Sequence, residues 1–354
     1  MPFCESKCNY CDFYSFSADR DTIDLYTLKV QDEIKRWGVR VVRPIDSLYL
    51  GGGTPSLLGG ENIKRILGTV RDTFSLCDDA EITLEANPAD DLMETLSVAA
   101  QAGVNRLSLG VQSGNESELK MLGRRHKNSD VVRTVHDARA SGIKNISMDL
   151  MIGLPNSSID TVKQSLDFIL SLCPNHISVY MLKIEQGTPF YKNTPPLIGE
   201  DAESEQYLFV AQYLRKRGYE HYEISNFAKS GYESRHNNKY WNCDEYIGIG
   251  PAAHSFLAGR RFYYERNINK FLAGAPTVDD GAGGDSDEYI MLRLRLRDGL
   301  EFSEYQNRYG AFPKEKIDTA EKLQSLGLLT LSDSGIALTD KGFLVSNAVI
   351  GELI

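Results

Sequence analysis

The chain has 354 residues, of which 42% are hydrophobic and 25% are charged, and its formal net charge is −10. This length allows one large domain and a smaller one, and the acidic charge disfavours non-specific binding to nucleic acid or to an anionic membrane. No apolar run approaches the roughly 20 residues of a membrane span, and the N-terminus lacks a secretory signal pattern, so we expect a cytoplasmic protein.

Three of the six cysteines, Cys4, Cys8 and Cys11, fall within the first eleven residues. Their C-x3-C-x2-C spacing allows one short loop to place a thiolate on each of three irons of a 4Fe-4S cluster. The fourth iron is then open to the amino and carboxylate groups of S-adenosylmethionine, to which a reduced cluster passes one electron. The alternative ligand is zinc, which prefers four closed ligands from paired CxxC elements. No second pair follows in this sequence, so we favour the cluster.

From Asp46 to Leu182 the sequence repeats one pattern, a short β-rich run, a turn and an amphipathic helix. The predicted strands are DSLYL from Asp46, EITLEA from Glu81, NRLSLG from Asn105, NISMDL from Asn145 and HISVYM from His176. Helical patterns lie between them, for example from Asn62 and from Thr161. This alternation predicts an α/β fold with right-handed crossovers and a parallel sheet.

Polar or glycine residues follow four of these strands. Gly51–Thr54 come after the first strand, Glu85 closes the second, Gln112 follows the third, and Asp149 lies near the end of the fourth. In parallel sheets and barrels the ligand lies at the carboxyl ends of the strands. The sequence therefore predicts one shared site at this edge of the sheet.

The pattern changes after about Pro196. A helix from Asp201 leads into a short strand, HYEIS, and then into a stretch predicted to be irregular, Asn226 to Phe271. We expect Ala275–Asp285 to be an exposed linker, and the tail from Ser286 to form three helices, two strands and a last helix. That order is typical of a winged helix, but its candidate recognition helix is not strongly basic, which favours a packing or interaction role over DNA binding. The predicted domains are residues 1–196, 197–274 and 275–354.

Five motifs occur in a fixed order along the chain, PFCESKCNYCDF, LGGGTPS, LEANP, GVQS and GLP. With this set, the chain resembles the radical-SAM family of oxygen-independent coproporphyrinogen III dehydrogenases and their relatives, over nearly its whole length. The resemblance implies a partial (β/α)6 barrel followed by a C-terminal helical, winged-helix-like domain.

The resemblance also implies roles for individual residues at the carboxyl edge of the sheet. Gly52, Gly53 and Thr54 match positions that hold the methionyl end of S-adenosylmethionine. The positions that bind its carboxylate, amine, ribose and adenine correspond to Glu85, Gln112, Arg124, Asp149 and Tyr10. Each has an alternative interpretation: the carboxylates could cap helices, and the arginine could form a surface ion pair of little energetic value.

The chain departs from the dehydrogenases at three points. First, Phe13 stands at the position where the dehydrogenases carry a fourth cysteine. Second, only three residues precede Cys4, whereas the dehydrogenases have a substantial N-terminal segment that shapes the substrate site. Relatives also begin with a β-strand before the first cysteine, so we expect cofactor affinity to suffer here. Third, RHNNKYW at Arg235–Trp241 contains the H-N-x-x-Y-W pattern of the HemW branch of radical-SAM heme chaperones.

This last motif offers groups that suit heme. His236 could ligate the iron axially, Asn237 could orient it or bond a propionate, and Tyr240 and Trp241 have flat apolar faces for a porphyrin. His254 is a second candidate ligand. The alternative is that His236 is an ordinary loop histidine and the aromatic residues belong to the core.

Two functions from different classes follow. The first is a chaperone that binds heme and delivers it to hemoproteins, some of them at a membrane to which the chaperone attaches peripherally. The second is an enzyme that decarboxylates two propionates of coproporphyrinogen III to give protoporphyrinogen IX. The phenylalanine at the fourth-cysteine position and the RHNNKYW motif favour the chaperone. A zinc-stabilised barrel is a third interpretation, and the sequence leaves a homodimer open.

Overall fold

The computed structural model describes residues 1–88 and 91–354. The described residues divide into two compact units. The first comprises Met1–Gln206, Gly248–His254 and Tyr263–Val278; the second comprises Tyr207–Ile247, Ser255–Phe262 and Asp279–Ile354. The segment predicted to be a middle domain, 197–274, is thus shared between the two units.

The first unit is built on five parallel strands that lie side by side in the order in which they occur in the chain. They are β1 (Ile45–Leu50), β2 (Leu76–Ala86), β3 (Arg106–Gln112), β4 (Asn145–Ile152) and β5 (His176–Met181). All five strands predicted from the sequence are confirmed, and the parallel pairing follows because helical crossovers connect them.

The helices of this unit lie between and around the strands. They are α1 (Arg20–Gly38), α2 (Gly60–Thr73), α3 (Met93–Gln101), α4 (Glu116–Met121), α5 (Asn128–Ala140), α6 (Ile159–Ser171), α7 (Pro189–Lys192), α8 (Glu200–Arg215), which continues into the second unit, and α10 (Ile268–Leu272). A short 3-10 helix spans Pro55–Leu58. Helix α6 illustrates why they form: the Ser158 side chain accepts from the Thr161 N–H, and Val162, Leu166 and Ile169 form one buried stripe.

The core of the first unit lies between the sheet and these helices. Strand β3 is buried along all seven residues, as expected for a parallel strand covered on both faces. Each fully buried leucine, such as Leu84 or Leu107, contributes about 2 kcal/mol relative to an exposed position. The interior also holds a charge, since the Arg106 side chain is only 2% exposed and its Nε lies 4.0 Å from Glu81 Oε2.

The second unit begins with an antiparallel hairpin and a short helix. Its elements up to residue 282 are β6 (Glu220–Glu223), β7 (Asn226–Ala228), α9 (Arg235–Trp241), β8 (His254–Leu257), β9 (Arg260–Tyr263) and β10 (Val278–Ala282). The last three strands form a sheet in the order β10-β9-β8, and one terminal residue of each strand belongs to the first unit.

Two predictions about this region are wrong. The stretch predicted to be irregular, Asn226 to Phe271, contains helices and strands, and the predicted linker Ala275–Asp285 contains β10. Strand β10 is short, rich in Asp, Gly and Ala, and half-buried or exposed along its length. Its composition carries no strand signal, because pairing with β9 rather than side-chain burial makes it a strand.

The end of the chain is helical with a small sheet, in the order β11-β13-β12. Its elements are α11 (Ser286–Arg293), β11 (Leu300–Glu301), α12 (Phe302–Tyr309), α13 (Lys314–Ser325), β12 (Leu329–Leu331), β13 (Gly335–Leu338), α14 (Asp340–Leu344) and α15 (Ser346–Leu353). The predicted order of three helices, two strands and a helix from Asp340 is confirmed, with that last helix divided into α14 and α15. The two-residue strand β11 was not predicted. Among residues 1–88 and 91–354, no helix is long and apolar enough to span a membrane.

Candidate functional site

The three N-terminal cysteines lie in one loop that precedes α1. All three are free thiols with partly exposed side chains, and the Cys11 N–H donates to the Cys8 carbonyl at 3.4 Å. Burial raises the pKa of Cys11, so this thiol is held protonated more strongly than usual until a metal replaces its proton.

The donor set fits a cubane cluster. Among the described residues, no group of three or more His, Cys, Asp or Glu side chains surrounds a point where a single metal ion could sit. A cubane requires a different arrangement, because its three thiolates bind three different irons and therefore lie further apart than the ligands of one ion. Three accessible thiols on one short loop suit a cubane, whereas a structural zinc site needs four ligands that surround one ion.

This cysteine loop is anchored to the barrel through Asn9. Its N–H donates to the Leu122 carbonyl at 3.0 Å, and its side-chain Nδ2 donates to the Met121 carbonyl at 2.8 Å. Gly123 lies against Asn9 with a φ of +75°, a backbone conformation that glycine adopts without strain. The loop is therefore fixed to the segment that follows α4.

The glycine-rich loop after β1 contacts the N-terminal segment. The Gly53 N–H donates to the Met1 carbonyl and the Thr54 N–H to the Phe3 carbonyl, both at 2.7 Å. A Cβ on Gly53 would lie 2.5 Å from the Phe3 oxygen, and one on Gly52 would lie 2.9 Å from the Met1 oxygen. These glycines are thus required by the close approach of two backbones. The backbone amides of Gly53 and Thr54, two of the positions matched to the methionyl end of S-adenosylmethionine, have partners within the chain.

Glu85 lies at the end of β2 and links two elements of the site. Its Oε1 accepts from the Tyr49 hydroxyl at 2.7 Å, and its Oε2 accepts from the Gly52 N–H at 2.8 Å. Burial raises the pKa of Glu85 despite these donors. Tyr49 was not predicted; it precedes the last residue of β1, and alternation along that strand was the only signal that could have placed it inward.

Asp149 is a second carboxylate in the same barrel interior. The Ser108 hydroxyl lies 3.5 Å from its Oδ1, and Ser178 is also a hydrogen-bond partner. Burial, and to a smaller extent the negative charge of Glu85, raise the pKa of Asp149 to about 7. A pair of carboxylates in one desolvated site favours the binding of a positively charged ligand.

Arg124 lies at the centre of a hydrogen-bonded group that reaches the cysteines. Its Nη2 donates to Asn87 Oδ1 at 2.6 Å and to the Gly110 carbonyl at 2.5 Å, and its Nη1 lies 3.7 Å from Cys8 Sγ. Asn87 Nδ2 donates to Thr54 Oγ1 at 2.8 Å, and that hydroxyl lies 3.4 Å from the Cys4 sulfur. Asn87 belongs to the LEANP motif, but sequence reasoning assigned it no role.

Gly110 and Gln112 shape the same corner of the site. A Cβ on Gly110 would lie 3.0 Å from a polar atom of each of three side chains, those of Arg124, Asn87 and Gln112. Gln112 itself has a φ of +69°, at an irregularity in the pairing of β3 with β4. Positive φ is uncommon for a residue other than glycine and accompanies functional sites. The structure thus brings Thr54, Gln112 and Arg124 together at one edge of the sheet.

Tyr10 lies between the second and third cysteines and packs against apolar side chains. The cluster that it contacts consists of Leu122, Met151, Leu154, Leu182 and Phe190. Burial raises the pKa of Tyr10 well above its usual range, so the phenol is neutral. One part of the Tyr10 ring thus lies against apolar side chains, of which Phe190 is aromatic.

The residues predicted for heme lie in the second unit, on the seven-residue helix α9. His236 Nε2 and the Tyr240 hydroxyl are 2.9 Å apart, as expected for residues four apart on one helix face. Tyr240 also packs edge-on against Tyr246, with ring centroids 4.7 Å apart. Trp241 lies under the Arg295 guanidinium at 5.7 Å, and its Nε1 is buried without a partner among the described residues. Asn237 donates its backbone N–H to the Ser234 hydroxyl, which caps the helix.

The second candidate histidine, His254, lies in the first unit and lines an open cavity of about 390 Å3. Its ring is exposed and stacks on Tyr263, with centroids 5.1 Å apart. Phe13, which replaces the fourth cysteine, lines the same cavity and is 61% exposed.

Comparison with known proteins identifies the family of the chain. The model of the Radical SAM superfamily matches residues 1–169, and that of the HemN C-terminal domain matches residues 287–345. Heme chaperone HemW of Bacillus subtilis is 34% identical over 373 aligned residues, covering 100% of this chain and 97% of its own, and the Lactococcus lactis protein of the same name is 33% identical with 100% and 96% covered. The chain belongs to the HemW family.

One solved structure extends the comparison to the fold. Coproporphyrinogen III oxidase (HemN) from Escherichia coli, described as a radical SAM enzyme, superposes with a TM-score of 0.86, covering 100% of this chain and 88% of its own. At 20% identity this likeness shows the fold alone. It confirms the α/β radical-SAM barrel with a helical C-terminal region, the fold that the sequence predicted for this HemW-family chain.

Proposed function

We propose that this chain is a heme chaperone that binds heme and delivers it to hemoproteins, and that it holds a 4Fe-4S cluster and S-adenosylmethionine. The observation that carries the proposal is the full-length similarity, at 33–34% identity, to relatives named heme chaperones. Two further observations support it. The short loop of three accessible thiols suits the cluster, and the helix that carries His236 suits heme.

In this proposal Cys4, Cys8 and Cys11 hold the cluster. When bound, the cluster supplies an electron to the sulfonium of S-adenosylmethionine. The chain's own residues orient the two groups: Asn9 fixes the cysteine loop to the barrel, and the Arg124 guanidinium lies 3.7 Å from Cys8 Sγ, where it offsets thiolate charge.

The proposed S-adenosylmethionine residues line the carboxyl edge of the sheet. Gln112 and the two carboxylates, Glu85 and Asp149, face the amine and ribose, while Tyr10 contributes an apolar wall for the adenine. Gly52, Gly53 and Thr54 contribute through the close packing that positions Cys4, because the amides of Gly53 and Thr54 bond to the N-terminal segment. Arg124 contributes charge near the site while its Nη2 is held by the barrel.

Heme is proposed to bind at α9, with His236 as the axial ligand and the rings of Tyr240 and Trp241 against the porphyrin. Asn237 is proposed to bond a propionate. The Nε2 atom of His236 is engaged by the Tyr240 hydroxyl at 2.9 Å, so iron binding at this nitrogen must displace that hydrogen bond. Removing the hydroxyl alone should therefore tighten heme binding about fivefold, since a net hydrogen bond stabilises by about 1 kcal/mol.

The test is an anaerobic titration with heme, followed in the Soret band, of wild type, His236→Ala and Tyr240→Phe. We expect stoichiometric binding by wild type, binding weakened at least tenfold in His236→Ala, and tighter binding in Tyr240→Phe, which keeps the aromatic ring. Absence of specific binding by wild type would remove the chaperone function. Binding by wild type that His236→Ala leaves unchanged would move the ligand elsewhere, with His254→Ala as the next variant.

The same preparation discriminates against the enzymatic alternative. Incubation with coproporphyrinogen III, dithionite and S-adenosylmethionine should give no protoporphyrinogen IX, because Phe13 replaces the fourth cysteine of the dehydrogenases.

Heme delivery has a test of its own. Heme loaded on the chain should transfer to an apo-hemoprotein added in excess, and retention of heme by the chain would contradict delivery. The proposed location is the cytoplasm, with recipients at the membrane among the partners.

A further inference from the structure

Asn87 is a polar side chain at the barrel edge to which the proposed function assigns no role. Asn87 follows β2 directly and is followed by Pro88, which restricts the backbone of Asn87 to extended conformations. Its side chain touches both Thr54 and Arg124, and these two residues in turn approach different cysteines.

Four contacts form one continuous path between two sulfur atoms. Cys4 Sγ lies 3.4 Å from Thr54 Oγ1, which accepts from Asn87 Nδ2 at 2.8 Å. Asn87 Oδ1 accepts from Arg124 Nη2 at 2.6 Å, and Arg124 Nη1 lies 3.7 Å from Cys8 Sγ. Cys4 and Cys8 are thus joined through three side chains from three different segments of the barrel.

The direction of every hydrogen bond in this path follows from chemistry. A guanidinium only donates, so the atom of Asn87 that faces Arg124 is the carbonyl oxygen and the atom that faces Thr54 is the amide nitrogen. The Thr54 oxygen therefore accepts from Asn87, and its own hydrogen remains available to donate to Cys4 Sγ. The hydrogen bonds therefore all point in one direction, from the Arg124 guanidinium through Asn87 and Thr54 to the Cys4 sulfur. Hydrogen bonds in such a chain strengthen one another.

Burial and further hydrogen bonds hold Thr54 and Arg124, the two neighbours of Asn87 in this path, in place. Thr54 is only 6% exposed, and its backbone N–H is fixed by the Phe3 carbonyl. Arg124 is held independently by the Gly110 carbonyl at 2.5 Å, and any side chain at Gly110 would enter the space where Arg124 and Asn87 meet.

We propose that Asn87 is a positioning residue for the iron–sulfur cluster. It holds the Thr54 hydroxyl and the Arg124 guanidinium in place as hydrogen-bond donors to Cys4 and Cys8, and it thereby sets the negative charge on these two sulfurs. The inference rests on the proposed function, because it assumes that these cysteines hold a cluster. Hydrogen bonds to the sulfurs stabilise the more negative, reduced state and raise the reduction potential of such clusters. Breaking the path at Asn87 therefore lowers the potential without removing any ligand of the iron.

The experiment is an anaerobic redox titration of the reconstituted cluster, followed by the electron paramagnetic resonance of its reduced state. Asn87→Ala and Thr54→Val should each shift the midpoint potential to more negative values. The shift in the double variant should be smaller than the sum of the two single shifts, because both changes interrupt the same path. Asn87→Asp provides a variant of nearly the same size; it still accepts from Arg124 but cannot donate to Thr54, so it should also lower the potential.

Asn105 supplies the matched control in the same barrel. Its amide also joins two groups, accepting from the Ile82 N–H and donating to the Ala80 carbonyl, both at 2.8 Å, at the opposite end of the strands. Asn105→Ala should destabilise the protein and leave the potential unchanged. Wild-type potentials in the Asn87 variants, or strictly additive shifts, would overturn the inference. Failure of the wild-type protein to hold four irons and four sulfides would instead overturn the proposed function.

Discussion

The contact between the glycine-rich loop and the N-terminal segment provides a direct test of how Cys4 is positioned. In Gly53→Ala the new Cβ would lie 2.5 Å from the Phe3 carbonyl oxygen and 3.1 Å from that of Met1. Both neighbours are backbone atoms, so relief requires the N-terminal segment to move away. Overpacking costs about 1–3 kcal/mol, and the two hydrogen bonds at 2.7 Å contribute about 1 kcal/mol each.

We therefore expect Gly53→Ala to lower the free energy of unfolding by roughly 3–5 kcal/mol and to reduce cluster retention, since Cys4 moves with the segment. Gly68→Ala is the matched control. Gly68 lies within α2, no neighbouring atom comes within 4 Å of its added Cβ, and its φ is not positive. That change should stabilise the helix by about 1 kcal/mol.

The assay is urea unfolding followed by tryptophan fluorescence in a Trp241→Phe background. The chain has two tryptophans, and the remaining one, Trp37, is buried in the first unit and reports its unfolding. Iron and sulfide are measured on the same samples. If Gly53→Ala is as stable as Gly68→Ala and keeps its cluster, the N-terminal segment does not pack on this loop, and the reasoning is refuted.

Three further predictions concern the cluster and the carboxylates. Cys8→Ser should abolish the brown chromophore of the reconstituted protein, because a cubane with two protein ligands is labile; full iron and sulfide content would show that the ligand assignment is wrong. Glu85→Gln, which retains an acceptor for the Gly52 N–H, should weaken S-adenosylmethionine binding in calorimetry while the cluster remains, and unchanged affinity would leave Glu85 a structural role. The pKa of Asp149, raised to about 7 by burial, lies above that of an unfolded chain, so the stability present below about pH 4 is lost as pH rises through 7. Asp149→Asn should accordingly stabilise the protein most at pH 8 and have little effect near pH 4; equal effects at both values in urea unfolding would contradict the burial of this carboxyl.

The five strands of the barrel could be read directly from the sequence. Each is a β-rich run bounded by turns and separated from the next by an amphipathic helix, and the pattern is strongest in the central strand β3, which is buried along all seven residues. The polar residues at their carboxyl ends could be predicted for the same reason: once strands are parallel and adjacent, Glu85 and Asp149 reach the same edge.

The region between the barrel and the winged-helix-like end could not be read in this way. The seven residues of α9 are short for a helix signal, and after Val278 the strand β10 contains only Asp, Gly and Ala, which are depleted in strands. Strand β10 depends on its pairing with β9, a separate segment of the chain, whereas the cap of α9 is local, since Ser234 directly precedes that helix. Local propensity carries too little information where pairing decides the structure.

The sequence by itself determined the spacing of the three N-terminal cysteines, the order of the strands and the residue types at the barrel edge, because these depend on covalent order and local periodicity. Only the tertiary structure decided what the side chains do to one another. The amides of Gly53 and Thr54 bond to the N-terminal segment, His236 bonds to Tyr240, and Asn87 joins Thr54 to Arg124. Most of these partners are tens of residues apart in the chain, and hydrogen bonds of 2.5–3.5 Å form only after the burial of the apolar core has brought those segments together.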